Sequence, residues 1–88
     1  MSAAIHAGDF LHAVKIYSTS TCPFCILAKS FFNKSGIPFQ DVDVSADKSA
    51  AQEMIEKSGQ MGVPVIDIDG KVIVGFNLPQ IRKALGLE

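Results

Sequence analysis

The chain contains no tryptophan, one tyrosine and only two cysteines in 88 residues. A single cysteine pair cannot supply the dense disulfide framework on which small secreted domains rely. Two thiolates are also too few to close a structural zinc site. Long hydrophobic runs are missing: no stretch approaches the roughly 20 apolar residues that cross a bilayer as a helix. Neither sign of charge is concentrated. Eight Lys and Arg against nine Asp and Glu leave a net charge of −1. That balance offers no basic patch for nucleic acid or an anionic membrane, and no like-charge block of the kind that stays disordered. Residues Met1 to His12 lack a cationic start followed by a continuous apolar segment, so no secretory signal is expected. The expectation is a cytoplasmic protein, where a lone cysteine pair is more often catalytic than structural. A chain of this length makes one domain, expected to be a monomer.

What is present is concentrated in Ser20-Thr21-Cys22-Pro23-Phe24-Cys25, which holds both cysteines between an apolar run from Val14 and a helical pattern to Lys34. Pro23 suits the first position of a helix, where its fixed φ fits and its missing N–H is not needed. Cys22 then stands at the helix N-terminus with Cys25 one turn inside. Residues three apart on a helix have Cβ atoms about 5–6 Å from each other, within a small adjustment of disulfide geometry. Unpaired N–H groups and the positive end of the helix dipole favour a thiolate at Cys22 more than at Cys25. The spacing therefore predicts Cys22 as attacking nucleophile and Cys25 as resolving thiol. A structural disulfide, half of a metal site and two inert core thiols are the competing readings of the same residues.

The rest of the chain reads as alternating elements. Residues 1–12 are a leader, disordered or a short helix, and 13–88 are the domain; His6 and His12 lack ligand spacing. Val14 to Ser18 is the first strand. Leu27, Ala28, Phe31 and Phe32 recur at helical spacing and are assigned to the core, while Phe24, between the cysteines, is assigned to the rim of the site. Gly36 ends this helix, and Ile37-Pro38-Phe39 leads a second strand through Val44. A second helix over about Asp47 to Ser58 has Ala50, Ala51, Met54 and Ile55 on one face, with Glu53 and Lys57 as an i,i+4 pair. Asp69-Gly70 between Val65-Ile66-Asp67-Ile68 and Lys71-Val72-Ile73-Val74 predicts a two-residue hairpin. Gly75 ends it, Asn77 caps a last helix, and Leu78, Ile81 and Leu85 make that helix's buried stripe. The order βαβ then ββα predicts strands one and two parallel, a hairpin added antiparallel, and three helices divided between the two faces of one four-stranded sheet. The site falls beyond the carboxyl end of strand one, where Cys22 stands.

Thr21-Cys22-Pro23-Phe24-Cys25, Val63-Pro64, the Asp69-Gly70 hairpin and the Gly75 turn together resemble the glutaredoxins, over about residues 14 to 86. The Gly62 to Gly70 run is similar to that of small bacterial glutaredoxin-like proteins of the YruB type. The resemblance implies a thioredoxin-like α/β fold with sheet order 2-1-3-4, a cis Val63-Pro64 bond facing the cysteines, and a Val63 backbone offered to substrate. It implies a thiol-disulfide oxidoreductase acting on protein or glutathione-mixed disulfides. Its substrate site would comprise Thr21, Pro23, Phe24, Val63, Pro64, Gly75, Phe76 and Asn77, with no tightly bound cofactor.

Departures from the family pattern bear on the electron source, for which glutathione and a thioredoxin reductase with NADPH are the candidates. Thr19 stands where glutathione-using members often have a basic residue. Gly75-Phe76-Asn77-Leu78-Pro79 replaces their Gly-Gly segment and resembles the turn of redoxins that serve ribonucleotide reductase and are recharged by thioredoxin reductase. A hydrogen donor of that kind is one alternative function. A zinc or iron-sulfur binding module is another, although Cys-Pro-aromatic-Cys is not the family's usual cluster-binding form.

Overall fold

A computed structural model of the chain describes residues 13–86. The leader, with His6 and His12, lies outside the described residues. Strand β1 (Val14–Ser18) is followed by α1 (Pro23–Lys34), β2 (Gln40–Asp43), α2 (Lys48–Ser58), β3 (Val65–Ile68), β4 (Lys71–Val74) and α3 (Leu78–Leu85). The sheet order is β2-β1-β3-β4, with β1 parallel to β2 and antiparallel to β3, and β3 antiparallel to β4. This is the thioredoxin-like arrangement expected from the sequence. Among the described residues no helix is long and apolar enough to cross a membrane.

Local chemistry sets the boundaries. The Asp47 carboxylate accepts from the Ala50 N–H at 3.1 Å and caps α2; the Asn77 side chain accepts from the Gln80 N–H at 3.2 Å and caps α3. In the hairpin both turn residues have positive φ, 54° at Asp69 and 90° at Gly70, as a type I′ turn requires. The second strand starts at Gln40 rather than with Ile37-Pro38-Phe39, which form the approach to it. There Ile37 and Phe39 pack half-buried against the core instead of pairing.

Alternation along β1 divides the interior. Val14 and Ile16 point to the face covered by α1 and α3, where they pack with Ala28, Phe32, Ile66, Ile68, Ile73, Ile81 and Leu85. Tyr17 and Val65 point to the other face, against Met54 of α2. The fully buried Tyr17 ring also carries the polar fastening of that face. Its hydroxyl donates to Glu53 Oε1 at 2.8 Å and accepts from Lys57 Nζ at 2.8 Å. Lys57 reaches on to Asp67 at 2.8 Å, and Lys15 to Glu53 at 3.1 Å. The Asp67 carboxylate, then the Tyr17 hydroxyl, hold the Lys57 ammonium protonated above its ordinary range, and the bonds from Tyr17 and Lys15 hold Glu53 below its own. The expected Glu53 and Lys57 pair is thus corrected: each makes its hydrogen bonds across to the sheet.

Two core assignments are also corrected. Leu27 is exposed, because the helix turns Cys25, Ala28 and Phe32 inward and leaves Leu27 on its outer side. Leu78 is half-buried and borders a groove rather than completing the α3 stripe. Phe31 is half-buried against the core. Phe32→Ala should therefore cost about 3–5 kcal/mol of folding free energy, whereas Leu27→Ala should stay within about 0.5 kcal/mol, as exposed positions do. Urea unfolding midpoints at unchanged slope check both values.

Candidate active site

Strand β1 ends at the buried Ser18, and the chain turns through exposed Ser20 and Thr21 to Cys22, whose φ of −91° and ψ of 113° are those of a cap residue outside the helix. Pro23 is the first helical residue. The Cys22 sulfur takes the part an Asp or Ser oxygen plays at other helix starts: it accepts from the Cys25 N–H at 3.2 Å. On its other side the Cys22 thiol donates to the Val63 carbonyl across 3.8 Å. Cys22 is partly exposed and Cys25 fully buried, both as free thiols.

Burial pushes the Cys25 thiol up to about 11, and its hydrogen bond with Cys22 acts in the same direction. A hydrogen bond from the Thr19 backbone and the charge of Lys29 pull it down by less. The two sulfurs are therefore held one turn apart in different surroundings.

The Val63–Pro64 peptide is cis. Pro64 is buried, and its carbonyl accepts from the Gly75 N–H at 2.8 Å, tying the end of β4 to the start of β3. Gly75 makes that turn at φ 81°, a conformation that favours glycine. The Val63 N–H has no hydrogen-bond partner among the described residues. Beside Cys22 these segments form an open groove of about 610 Å³. Phe24, Val63, Pro64, Gly75, Phe76 and Asn77, all expected at the site, line it together. Thr21 and Pro23 are exposed beside Cys22 and outside the lining.

Val74, Leu78 and Pro79 also line the groove and were not assigned to it from the sequence. Val74 had a readable signal: alternation along β4 turns it away from the buried Ile73. None of the nine lining residues is charged. A depression of about 600 Å³ near Ala13, Phe39 and Gly70 lies at the opposite end of β1 from the cysteines. Among the described residues no three His, Cys, Asp or Glu side chains gather as a metal site.

A thioredoxin-like sheet presenting Cys-x-x-Cys at a helix N-terminus, against a cis-proline loop, is the arrangement of a thiol oxidoreductase in general. The chain belongs to the glutaredoxin family, whose profile matches residues 14–73, and so to the thiol-disulfide oxidoreductases in general. It is 49% identical over 72 residues to an uncharacterised glutaredoxin-like 8.6 kDa protein in the rubredoxin operon of Clostridium pasteurianum, covering 82% of this chain and 96% of that one. Glutaredoxin 3 of Escherichia coli is 39% identical over 62 residues, covering 70% and 75%. The solved methanoredoxin of Methanosarcina acetivorans superposes with a TM-score of 0.77 at 29% identity, over 84% of each chain. Family members in general act on disulfide substrates and draw electrons from glutathione or another reductant.

The Cys25 environment has a measurable consequence. Because the fold favours its neutral thiol, the associated stability is present below the ordinary value near 9 and is lost as pH rises through about 11. In a Cys22→Ser protein the alkylation rate of Cys25 should keep climbing above pH 9 toward pH 11, since burial, the larger cause, remains. A rate already level at pH 9 would show that burial does not restrain this thiol.

Proposed function

We propose that the protein is a dithiol reductant of disulfides in which Cys22 attacks and Cys25 resolves. The observation that carries this reading is the difference in access: a substrate sulfur can reach Cys22, while Cys25 is buried behind it and donates its own N–H to the Cys22 sulfur. The Cys22 thiolate attacks one substrate sulfur, forming a mixed disulfide; the other substrate sulfur leaves as a thiolate and takes up a proton. The same Cys25 amide bond strengthens when Cys22 carries charge, since charge-assisted bonds are about twice as strong as neutral ones. Cys25 then loses its proton and attacks Cys22, closing the Cys22–Cys25 disulfide and releasing the second substrate thiol. Two electrons and two protons pass from the protein to the substrate, and an outside reductant returns them. We place this cycle in the cytoplasm, whose reducing poise supports a recycled dithiol.

The uncharged groove bears on the reductant. Glutathione presents two carboxylates, and Thr19, Phe76 and the groove lining bring no cation to meet them. Losing one charge-assisted contact costs about 1.5–3 kcal/mol, so losing two weakens binding by about a hundredfold or more. This favours a thioredoxin reductase with NADPH as electron source, and with it the second reading, a hydrogen donor to a ribonucleotide-reductase-like enzyme. The cysteine pair is the only part of a metal site that the described residues provide, so a cluster or zinc would need ligands from elsewhere.

Two experiments test these statements. Cys22→Ser should abolish disulfide reduction, whereas Cys25→Ser should still attack and accumulate a mixed disulfide at Cys22, read by mass spectrometry. Trapping at Cys25 in the Cys22→Ser protein, as fast as the converse, would reverse the assigned roles. Oxidised protein offered in parallel to thioredoxin reductase with NADPH and to millimolar glutathione with glutathione reductase should be reduced faster by the first. Rapid turnover with glutathione alone would return the protein to glutathione-dependent members of the family.

A further inference from the structure

Between α2 and Val63 the chain belongs to no helix or strand and is held by bonds among its own residues. Gly59 ends α2 at φ 74°, its N–H donating to the Ile55 carbonyl at 2.7 Å. The Ser58 hydroxyl, bonded to the Met54 carbonyl at 2.7 Å, accepts from the Gln60 N–H at 3.3 Å. The Gln60 side chain then turns forward onto a single residue. Its Oε1 accepts from the Gly62 N–H at 3.1 Å, and its Nε2 donates to the Gly62 carbonyl at 3.0 Å. One bond needs the oxygen of the amide and the other its nitrogen, so one orientation of the side chain makes both. Gly62 has no positive φ to call for a glycine. What its missing Cβ provides is room, since a Cβ there would stand 2.9 Å from Gln60 Oε1. Gln60 and Gly62 are thus a fitted pair immediately before Val63.

We propose that Gln60 is a positioning residue for disulfide exchange, acting through the Gly62–Val63 peptide. The proposal rests on the reading of Cys22 as the attacking thiol. The Gly62–Val63 bond is trans, and a trans peptide is planar with its N–H directed opposite to its C=O. By holding the Gly62 carbonyl, Gln60 Nε2 therefore also sets the direction of the Val63 N–H, a donor without a partner among the described residues. Val63 places its own carbonyl 3.8 Å from the Cys22 sulfur, so this N–H stands beside the point of exchange. Without the clamp its direction would rest on Gly62, an exposed glycine outside any strand and the residue type with the widest choice of φ and ψ. The bond at the carbonyl also polarises the peptide and strengthens its N–H as a donor. A peptide disulfide brings a backbone carbonyl within reach of that N–H as its sulfur approaches Cys22; a small disulfide without peptide groups brings none. Gln60 thus acts on exchange with polypeptides rather than on the reactivity of Cys22, from a side chain outside the groove lining.

The test uses pre-reduced protein in single turnover with two oxidants: the disulfide-linked dimer of a cysteine tripeptide with blocked ends, and hydroxyethyl disulfide. Closure of Cys22–Cys25 is followed by mass spectrometry, so no recycling reductant is needed. The readout is the ratio of the peptide rate to the hydroxyethyl disulfide rate, because damage to the fold or to the Cys22 thiol lowers both together. Gln60→Ala should lower this ratio about two- to tenfold, the worth of one neutral hydrogen bond. Gln60→Glu keeps an acceptor for the Gly62 N–H but sets an oxygen against the Gly62 carbonyl, and should lower the ratio at least as much. Gly62→Ala, whose Cβ displaces the end of the Gln60 side chain, should lower it with Gln60 still in place, and serves where Gln60→Ala folds poorly. A ratio in these variants equal to that of the unmodified protein would overturn the positioning role, as would equal falls with both oxidants, which mark a structural role alone. Failure of both oxidants to close the disulfide in the unmodified protein would overturn the reductant reading itself, a result distinct from an unchanged ratio.

Discussion

The contact on which this structure depends is the 3.2 Å bond from the Cys25 amide to the Cys22 sulfur. It makes a cysteine the cap of a helix, and so binds two requirements into one. A helix start needs an acceptor for its orphan N–H groups, and a redox pair needs two sulfurs close together in unlike surroundings. Pro23 serves both, since it begins α1 without a donor to satisfy and keeps the cysteines three residues apart. From that turn inward α1 buries Cys25, Ala28 and Phe32, and outward it presents Phe24 and Leu27.

The sheet supplies what one helix cannot. Strand β1 carries the chain to the site, while the Gly75 N–H bound to the Pro64 carbonyl holds the loop with Val63 beside Cys22. On the far face the Tyr17, Glu53, Lys57 and Asp67 bonds fix α2 without entering the site. The groove beside Cys22 is lined without charge, the Tyr17, Glu53, Lys57 and Asp67 fastening lies on the other face, and on the α1 side Lys29 pairs with Asp41 at 2.9 Å.

Much of this arrangement was legible in the sequence because its signals are local and strongly constrained. Asp69-Gly70 names its turn type, Asp47 and Asn77 name their helix starts, and the cysteine spacing with Pro23 places the pair on a helix end. Sheet order and the cis bond came from the resemblance to glutaredoxins, since pairing between β1 and β3 joins residues some 50 apart, as Ile16 with Ile66, and leaves no local trace. Leu27 was misplaced because a stripe of apolar residues at helical spacing does not show where the buried sector ends. The partners of Glu53 and Lys57 were missed for a related reason: an i,i+4 rule describes an isolated helix, whereas here the buried Tyr17 hydroxyl draws both side chains toward the sheet. Val74, Leu78 and Pro79 joined the groove only once the hairpin and α3 were folded together.

The fold leaves the Cys22 sulfur partly exposed and buries that of Cys25. Limited alkylation of the reduced, unmodified protein tests this difference most directly. Iodoacetamide is supplied at less than one equivalent near neutral pH, and the labelled cysteine is identified by peptide mapping. Label is expected on Cys22 with little on Cys25; comparable labelling of both, or label mainly on Cys25, would show that burial does not separate the two sulfurs.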